Sequence, residues 1–156
     1  MDRTLVILKP DTVQRRLIGT IIARIEKRGL QIAAMRMARA TPEQIKNLYS
    51  PHEGKHFYDA LVRYASSGPV VLMALEGLNA IQVVRAMLGK TFCSEAQPGT
   101  IRGDFGLSNR FNLIHASDSP EAAKRELAIF FQPNDFLDYT PCDVQWVYDL
   151  SGQEPV

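Results

Sequence analysis

"NLIHASDSPE" (residues 112–121) contains the transition that decides the architecture: a short apolar run, a histidine, then the start of a helix. "NLIHAS" (112–117) is too short for a helix and reads as a strand. Ser119-Pro120-Glu121 supplies a capping hydroxyl, a proline suited to the first helical position and an early acid, so a helix begins here. Leu127, Phe130 and Phe131 give that helix its apolar side. Strand followed at once by helix is the unit to look for upstream.

The same unit recurs. "VVLMALE" (70–76) reads as a central strand, followed by Ile81, Val84 and Leu88 at helical spacing and a stop at Gly89. "TLVILK" (4–9) is a buried strand ended by Pro10, and Ile18, Ile21, Ile22 and Ile25 mark the helix after it, closed by Gly29. "LQIAAMRMA" (30–38) is a second strand. A helical stretch from Pro42 to about Tyr49 comes next, and another carries Phe57, Leu61, Tyr64 and Ala65. Residues 90–111 show no clean period and hold Gly99, Gly103 and Gly106, which predicts a long ordered loop of the kind that carries function. The order β-α-β-(αα)-β-α-β-α predicts an α/β (α+β) fold. It is a ferredoxin-like βαββαβ sandwich, with a four-stranded antiparallel sheet covered by helices.

The 156 residues suffice for one domain, expected over 1–156 with a short C-terminal tail from about 149. Net charge is +1, from 18 basic and 17 acidic side chains, so neither nucleic acid nor membrane is called for as a partner. The two cysteines, Cys93 and Cys142, make no disulfide framework and lack zinc-site spacing. With no signal peptide or membrane-length apolar run in view, they predict reduced thiols in a cytoplasmic protein.

There are three histidines: His52, His56 and His115. "HEGKH" (52–56) spells the H-E-x-x-H motif of zinc peptidases, which needs both histidines on one helical face. Gly54 disfavours that helix by about 1 kcal/mol, and no third ligand stands at a familiar spacing. A polar loop between two helices, with no protein-held metal, is the better reading. His115 lies at a strand end beside a helix N-terminus, a setting that favours anions. Asn112 lies close upstream, and Ser117, Asp118 and Ser119 make the next turn polar. No P-loop motif occurs, so side-chain cations must hold any phosphate; Lys9, Arg85 and Arg102 are the candidates. Glycines around Arg102 suggest a close backbone approach to a ligand.

"TLVILKPDTVQRRLIG", "SSGPVVLMALEGLNAIQVVRAMLG", "PGTIRGDFG" and "NLIHASDS" together resemble the nucleoside diphosphate kinase family, from about Arg3 to Tyr148. The resemblance implies transfer of the terminal phosphate of a nucleoside triphosphate to a nucleoside diphosphate, by ping-pong through a phosphohistidine. It makes His115 the nucleophile, a sensible role for neutral imidazole at pH 7. It makes Glu126 the partner that fixes the ring, with Ser117 in support. Lys9, Arg85, Thr91 and Arg102 fall on phosphate-binding positions, Lys9 and Asn112 on sugar contacts, and Tyr49 beside the phosphate. Phe57 falls on the residue that stacks on the base, which would serve purines and pyrimidines alike. The resemblance further implies Mg²⁺ bound through the nucleotide phosphates, and a homohexamer, with a homotetramer as the alternative. His56, Phe92-Cys93 and Arg110-Phe111 depart from the family's usual residues.

Two other classes compete. An RNA-recognition module shares the βαββαβ plan, but it stacks bases on aromatics of its central strands, and these four strands contain none. A catalytically silent scaffold of the same family would not need His115, Lys9, Arg85, Arg102, Asn112 and Glu126 together.

Overall fold

The computed structural model describes residues 1–152 and 156. Residues 153–155 of the expected tail lie outside the described residues. In chain order the elements are β1 (Asp2–Leu8), α1 (Pro10–Gln14), α2 (Ile18–Lys27), β2 (Gln31–Ala38), α3 (Pro42–Leu48), α4 (Tyr58–Ala65), β3 (Val70–Gly77), α5 (Ala80–Leu88), α6 (Ile101–Phe105), β4 (Ile114–Ala116), α7 (Pro120–Phe130) and α8 (Val144–Val147). The four strands form one antiparallel sheet in the order β2-β3-β1-β4. The ferredoxin-like expectation is met. The short helices α1, α6 and α8 are additional; each spans too few residues to show a helical period in sequence.

Strand alternation sorts the core into two layers. Leu5, Ile7, Leu72 and Ala74 face one side, where α3, α4 and α7 cover them with Ile45, Leu48, Val62, Leu127 and Phe130. Val6, Leu8, Val71, Met73 and Leu75 face the other, under Ile21, Ile25, Val84, Leu88 and Ile101 of α2, α5 and α6. The central strands β1 and β3 are buried on both faces, which is why they read as unbroken apolar runs. Each buried aliphatic side chain contributes roughly 1.5–3 kcal/mol. No helix among the described residues is long and apolar enough to cross a membrane.

Two local features set the position of His115. The last long helix begins as its sequence demands: Ser119 Oγ accepts from Ala122 N at 3.1 Å, and Pro120 occupies the first turn. The last strand is shorter than "NLIHAS", because Leu113 adopts a left-handed backbone, φ 71°, and extended structure starts only at Ile114.

Candidate active site

His115 pairs across the sheet with Ile7, so its ring points to the face covered by α3, α4 and α7. Its Nε2 lies 2.8 Å from Glu126 Oε2, and the ring is 16% exposed. Ser117 Oγ donates to the same carboxylate oxygen at 2.8 Å and accepts from Leu5 N at 3.3 Å. A carboxylate facing Nε2 makes that nitrogen the protonated one and leaves the Nδ1 lone pair free. Burial pushes the His115 pKa down; Glu126 pulls it up, Lys9 and Arg102 push it down again, and the net direction is below the ordinary 6.5. Burial pushes Glu126 up, but the hydrogen bonds and charges of His115, Ser117 and Arg125 outweigh it and hold the carboxyl below its usual range. The pair is therefore neutral imidazole beside carboxylate at pH 7.

Glu126 stands on the buried stripe of α7, with Ala123, Leu127 and Phe130. A charge on such a stripe has to be paired, so the helical period itself carries a signal that Glu126 has a partner.

Tyr49 ends α3 and meets the His115 ring edge-on, with centroids 5.6 Å apart. Burial and the charge of Glu126 push its phenol well above the usual range, so it remains a hydroxyl.

The cations gather on the strand ends beside the histidine. Lys9 follows β1, is buried, and donates from Nζ to Asn112 Oδ1 at 2.7 Å. Burial, reinforced by Arg102 and opposed by Asp11, brings its pKa down to about 7. Asn112 also donates from Nδ2 to Thr91 O at 3.1 Å, which ties the start of the 90–111 segment to the site. Arg102 is buried on α6. Its Nε donates to Asn112 O at 3.1 Å, its Nη2 to Ile114 O at 2.7 Å, and its Nη1 to Gly89 O and Lys90 O at 3.2 and 3.4 Å. Four of its five N–H groups thus serve the protein's own backbone, and one remains for a ligand. Arg85, exposed on α5, lies close enough to lower the Arg102 pKa, second to burial.

The glycines around Arg102 were expected to admit a ligand, and that expectation is corrected for two of them. A Cβ on Gly103 would stand 1.9 Å from Gln97 O, and one on Gly106 would stand 2.3 Å from Cys93 Sγ. These glycines let α6 pack against its own loop. Residues 101–105 of the expected loop are helical, capped by Thr100 Oγ1, which accepts from Gly103 N at 3.1 Å.

Sequence reasoning missed Asp11 and Tyr64. Asp11 Oδ2 accepts from Leu113 N at 3.1 Å, while its other oxygen accepts from the Tyr64 hydroxyl. Thr12 Oγ1 donates to Leu113 O at 2.6 Å and Lys9 N donates to it at 2.8 Å. These contacts hold Leu113 in a conformation that costs a side-chain-bearing residue about 1–3 kcal/mol. The strained residue sits between Asn112 and the strand that carries His115. Only the P-D-T start of α1 hints at this in sequence.

Phe57 immediately precedes α4 and is 39% exposed. His52 lies between it and Tyr49, with ring centroids 5.6 and 6.3 Å away. "HEGKH" is a turn: Gly54 takes φ 81°, so His52 and His56 do not share a helical face, and Lys55 Nζ lies 2.9 Å from His52 Nδ1. Among the described residues no three His, Cys, Asp or Glu side chains are grouped to hold a metal.

This geometry stands beside close relatives. The family model described as "Nucleoside diphosphate kinase" matches residues 2–136. A nucleoside diphosphate kinase of Archaeoglobus fulgidus is 50% identical over 149 residues, covering 96% of this chain and 99% of that protein. One of Thermoplasma volcanium is 53% identical over 139 residues, covering 89% and 95%. Among solved structures, a halophilic nucleoside diphosphate kinase from Halobacterium salinarum in complex with CDP superposes with a TM-score of 0.93. It is 43% identical and covers 95% of this chain and 99% of that one. With its sheet order, its histidine–glutamate pair and these matches over nearly its whole length, the chain belongs to the nucleoside diphosphate kinase family.

Proposed function

We propose that His115 Nδ1 is the attacking atom of the reaction this chain performs. The chain is a phosphotransferase of the nucleoside diphosphate kinase type, moving a terminal phosphoryl group from a nucleoside triphosphate to a nucleoside diphosphate through a phosphohistidine, and so maintaining triphosphate pools. The observation that carries the residue assignment is the Glu126 contact with His115 Nε2, which leaves Nδ1 free on a ring kept neutral.

In the first half-reaction the Nδ1 lone pair takes the γ-phosphorus and the bond to the β-phosphate oxygen breaks. The imidazolium that forms is stabilised by Glu126, with Ser117 supporting the carboxylate. Charge on the transferring group and the leaving diphosphate meets Lys9, Arg85 and the remaining N–H of Arg102, with Thr91 and the Tyr49 hydroxyl beside them. Asn112 and Lys9 hold the sugar, and Phe57 stacks on the base. Mg²⁺ would come with the nucleotide as part of the substrate and would offset phosphate charge during transfer. In the second half-reaction a bound diphosphate attacks the phosphohistidine and restores His115.

The chain works as a single domain, as the shared sheet and the core on both its faces suggest. Exposed Met35 and Met37 on the edge strand, with Phe92, Phe111 and Trp146, support an oligomer, for which a homohexamer is the reading. The unpaired Cys93 and Cys142 suit a reducing cytoplasm. Initial-rate kinetics with ATP and a diphosphate acceptor test the mechanism. Parallel double-reciprocal lines are expected; intersecting lines would mean direct transfer between two bound nucleotides.

A further inference from the structure

Glu126 has two carboxylate oxygens, and the reacting pair accounts for one. Oε2 accepts from His115 and Ser117. Oε1 accepts from Arg125 Nη2 at 3.2 Å. The same guanidinium reaches the end of α3: Nη1 donates to Asn47 O at 2.9 Å, and Nη2 lies 3.5 Å from Leu48 O. These are carbonyls that a helix C-terminus leaves without intrahelical partners, where a cation is favoured. The next residue, Tyr49, packs edge-on against His115. The contacts close a ring: α3, Arg125, Glu126, His115, Tyr49 and back to α3.

We infer that Arg125 is a positioning residue for phosphoryl transfer: it fixes the rotation of the Glu126 carboxylate and ties it to the helix end that presents Tyr49. The inference rests on the reading of His115 and Glu126 as the reacting pair. A carboxylate held only through Oε2 can rotate about its terminal bond, which is broad and soft. Held at both oxygens, it keeps Oε2 in line with Nε2. A planar guanidinium presents fixed, separate N–H groups to both helices at once, whereas an ammonium offers its donors from one nitrogen and fixes their directions less.

Charge gives the test its direction. The groups facing Glu126 are His115 and Ser117 from the β4 strand and the turn after it, Tyr49 from α3 and Arg125 from α7. Lys9 and Arg102 act on the histidine. Removing one cation makes a proton on the His115–Glu126 pair more favourable, wherever in the pair it sits. The acid limb of the phosphorylation rate therefore moves to higher pH.

The experiment is single-turnover phosphorylation of the full chain by ATP across pH, with the dissociation constant for ADP measured beside it. For Arg125→Met the expected result is phosphorylation about tenfold slower, an acid limb shifted upward, and ADP affinity within about twofold of wild type. Arg125→Lys should return the acid limb to its wild-type position and recover only part of the rate. Added to Glu126→Gln, Arg125→Met should cost nothing further, which also separates positioning from general loosening of the fold. A wild-type rate and pH profile in Arg125→Met would overturn the inference. So would a rate loss that persists in the Glu126→Gln background or that tracks a loss of ADP affinity. If the wild-type chain itself carried no phosphoryl group on His115, the functional reading would fail, and that outcome is distinct from either.

Discussion

At the scale of single residues, the site depends on groups that hold others still. Leu113 is kept left-handed by Asp11, Thr12 and Lys9, and the Tyr64 hydroxyl holds Asp11 in turn. Tyr64→Phe removes a hydrogen bond to a carboxylate, worth about 1.5–3 kcal/mol. It should lower the melting temperature by roughly 3–10 °C and slow phosphorylation, with calorimetry and single-turnover kinetics as the checks; an unchanged melting curve would show that Leu113 holds its conformation without this prop. Titration supplies two further expectations. Glu126 pulls the His115 pKa up against burial, so Glu126→Gln should lower it still further while also lowering the rate. NMR titration of the His115 ring measures this, and a rise would contradict the assigned pair. Lys9, brought down to about 7 in the free chain, is only partly protonated at neutral pH. A bound triphosphate restores its charge, so binding near pH 7–8 should take up a proton. Calorimetry in buffers of different ionisation enthalpy reads that uptake, and its absence would place the phosphates away from Lys9.

At the scale of elements, the legible parts of the chain were those with a period or a cap. The β1 and β3 runs, the α2 and α5 stripes, and the Ser119-Pro120 start of α7 come directly from residue pattern. The candidate site was less legible for a physical reason. Lys9, Arg102, Asn112 and His115 converge through strand order β2-β3-β1-β4, which brings β1 beside β4 across more than 100 residues of sequence. Residue spacing carries no such information: residue type and position at strand ends offer Lys9, Arg102 and Asn112 as candidates beside His115, and the resemblance assigns each its role. The α6 segment was hidden because its glycines serve contacts inside the protein. Gly103→Ala would drive a Cβ into Gln97 O, a backbone atom that cannot move aside cheaply. The substitution should cost about 1–3 kcal/mol and raise hydrogen exchange across 97–106; unchanged protection there would mean that the loop absorbs the methyl group.

At the scale of the whole molecule, the sheet divides the labour. One face is an apolar layer under α2, α5 and α6, while the other places His115 between α7 and the end of α3. Surface residues such as Met35 and Met37 leave the single chain with apolar area to cover. Sedimentation tests the homohexamer proposed above; a tetramer would mean the same surfaces close in a different symmetry, and a stable monomer would rule out an oligomer. In the proposed mechanism His115 carries the phosphoryl group between substrates. The most direct test is to incubate the chain with ATP and Mg²⁺, no acceptor present, and locate the covalent phosphate by peptide mass spectrometry under alkaline conditions. One acid-labile phosphoryl group per chain is expected, on His115, discharged as a triphosphate when a nucleoside diphosphate is added, and none in His115→Ala. Phosphate on Ser117 or Ser119 instead, or phosphate exchange at the native rate in His115→Ala, would contradict that mechanism.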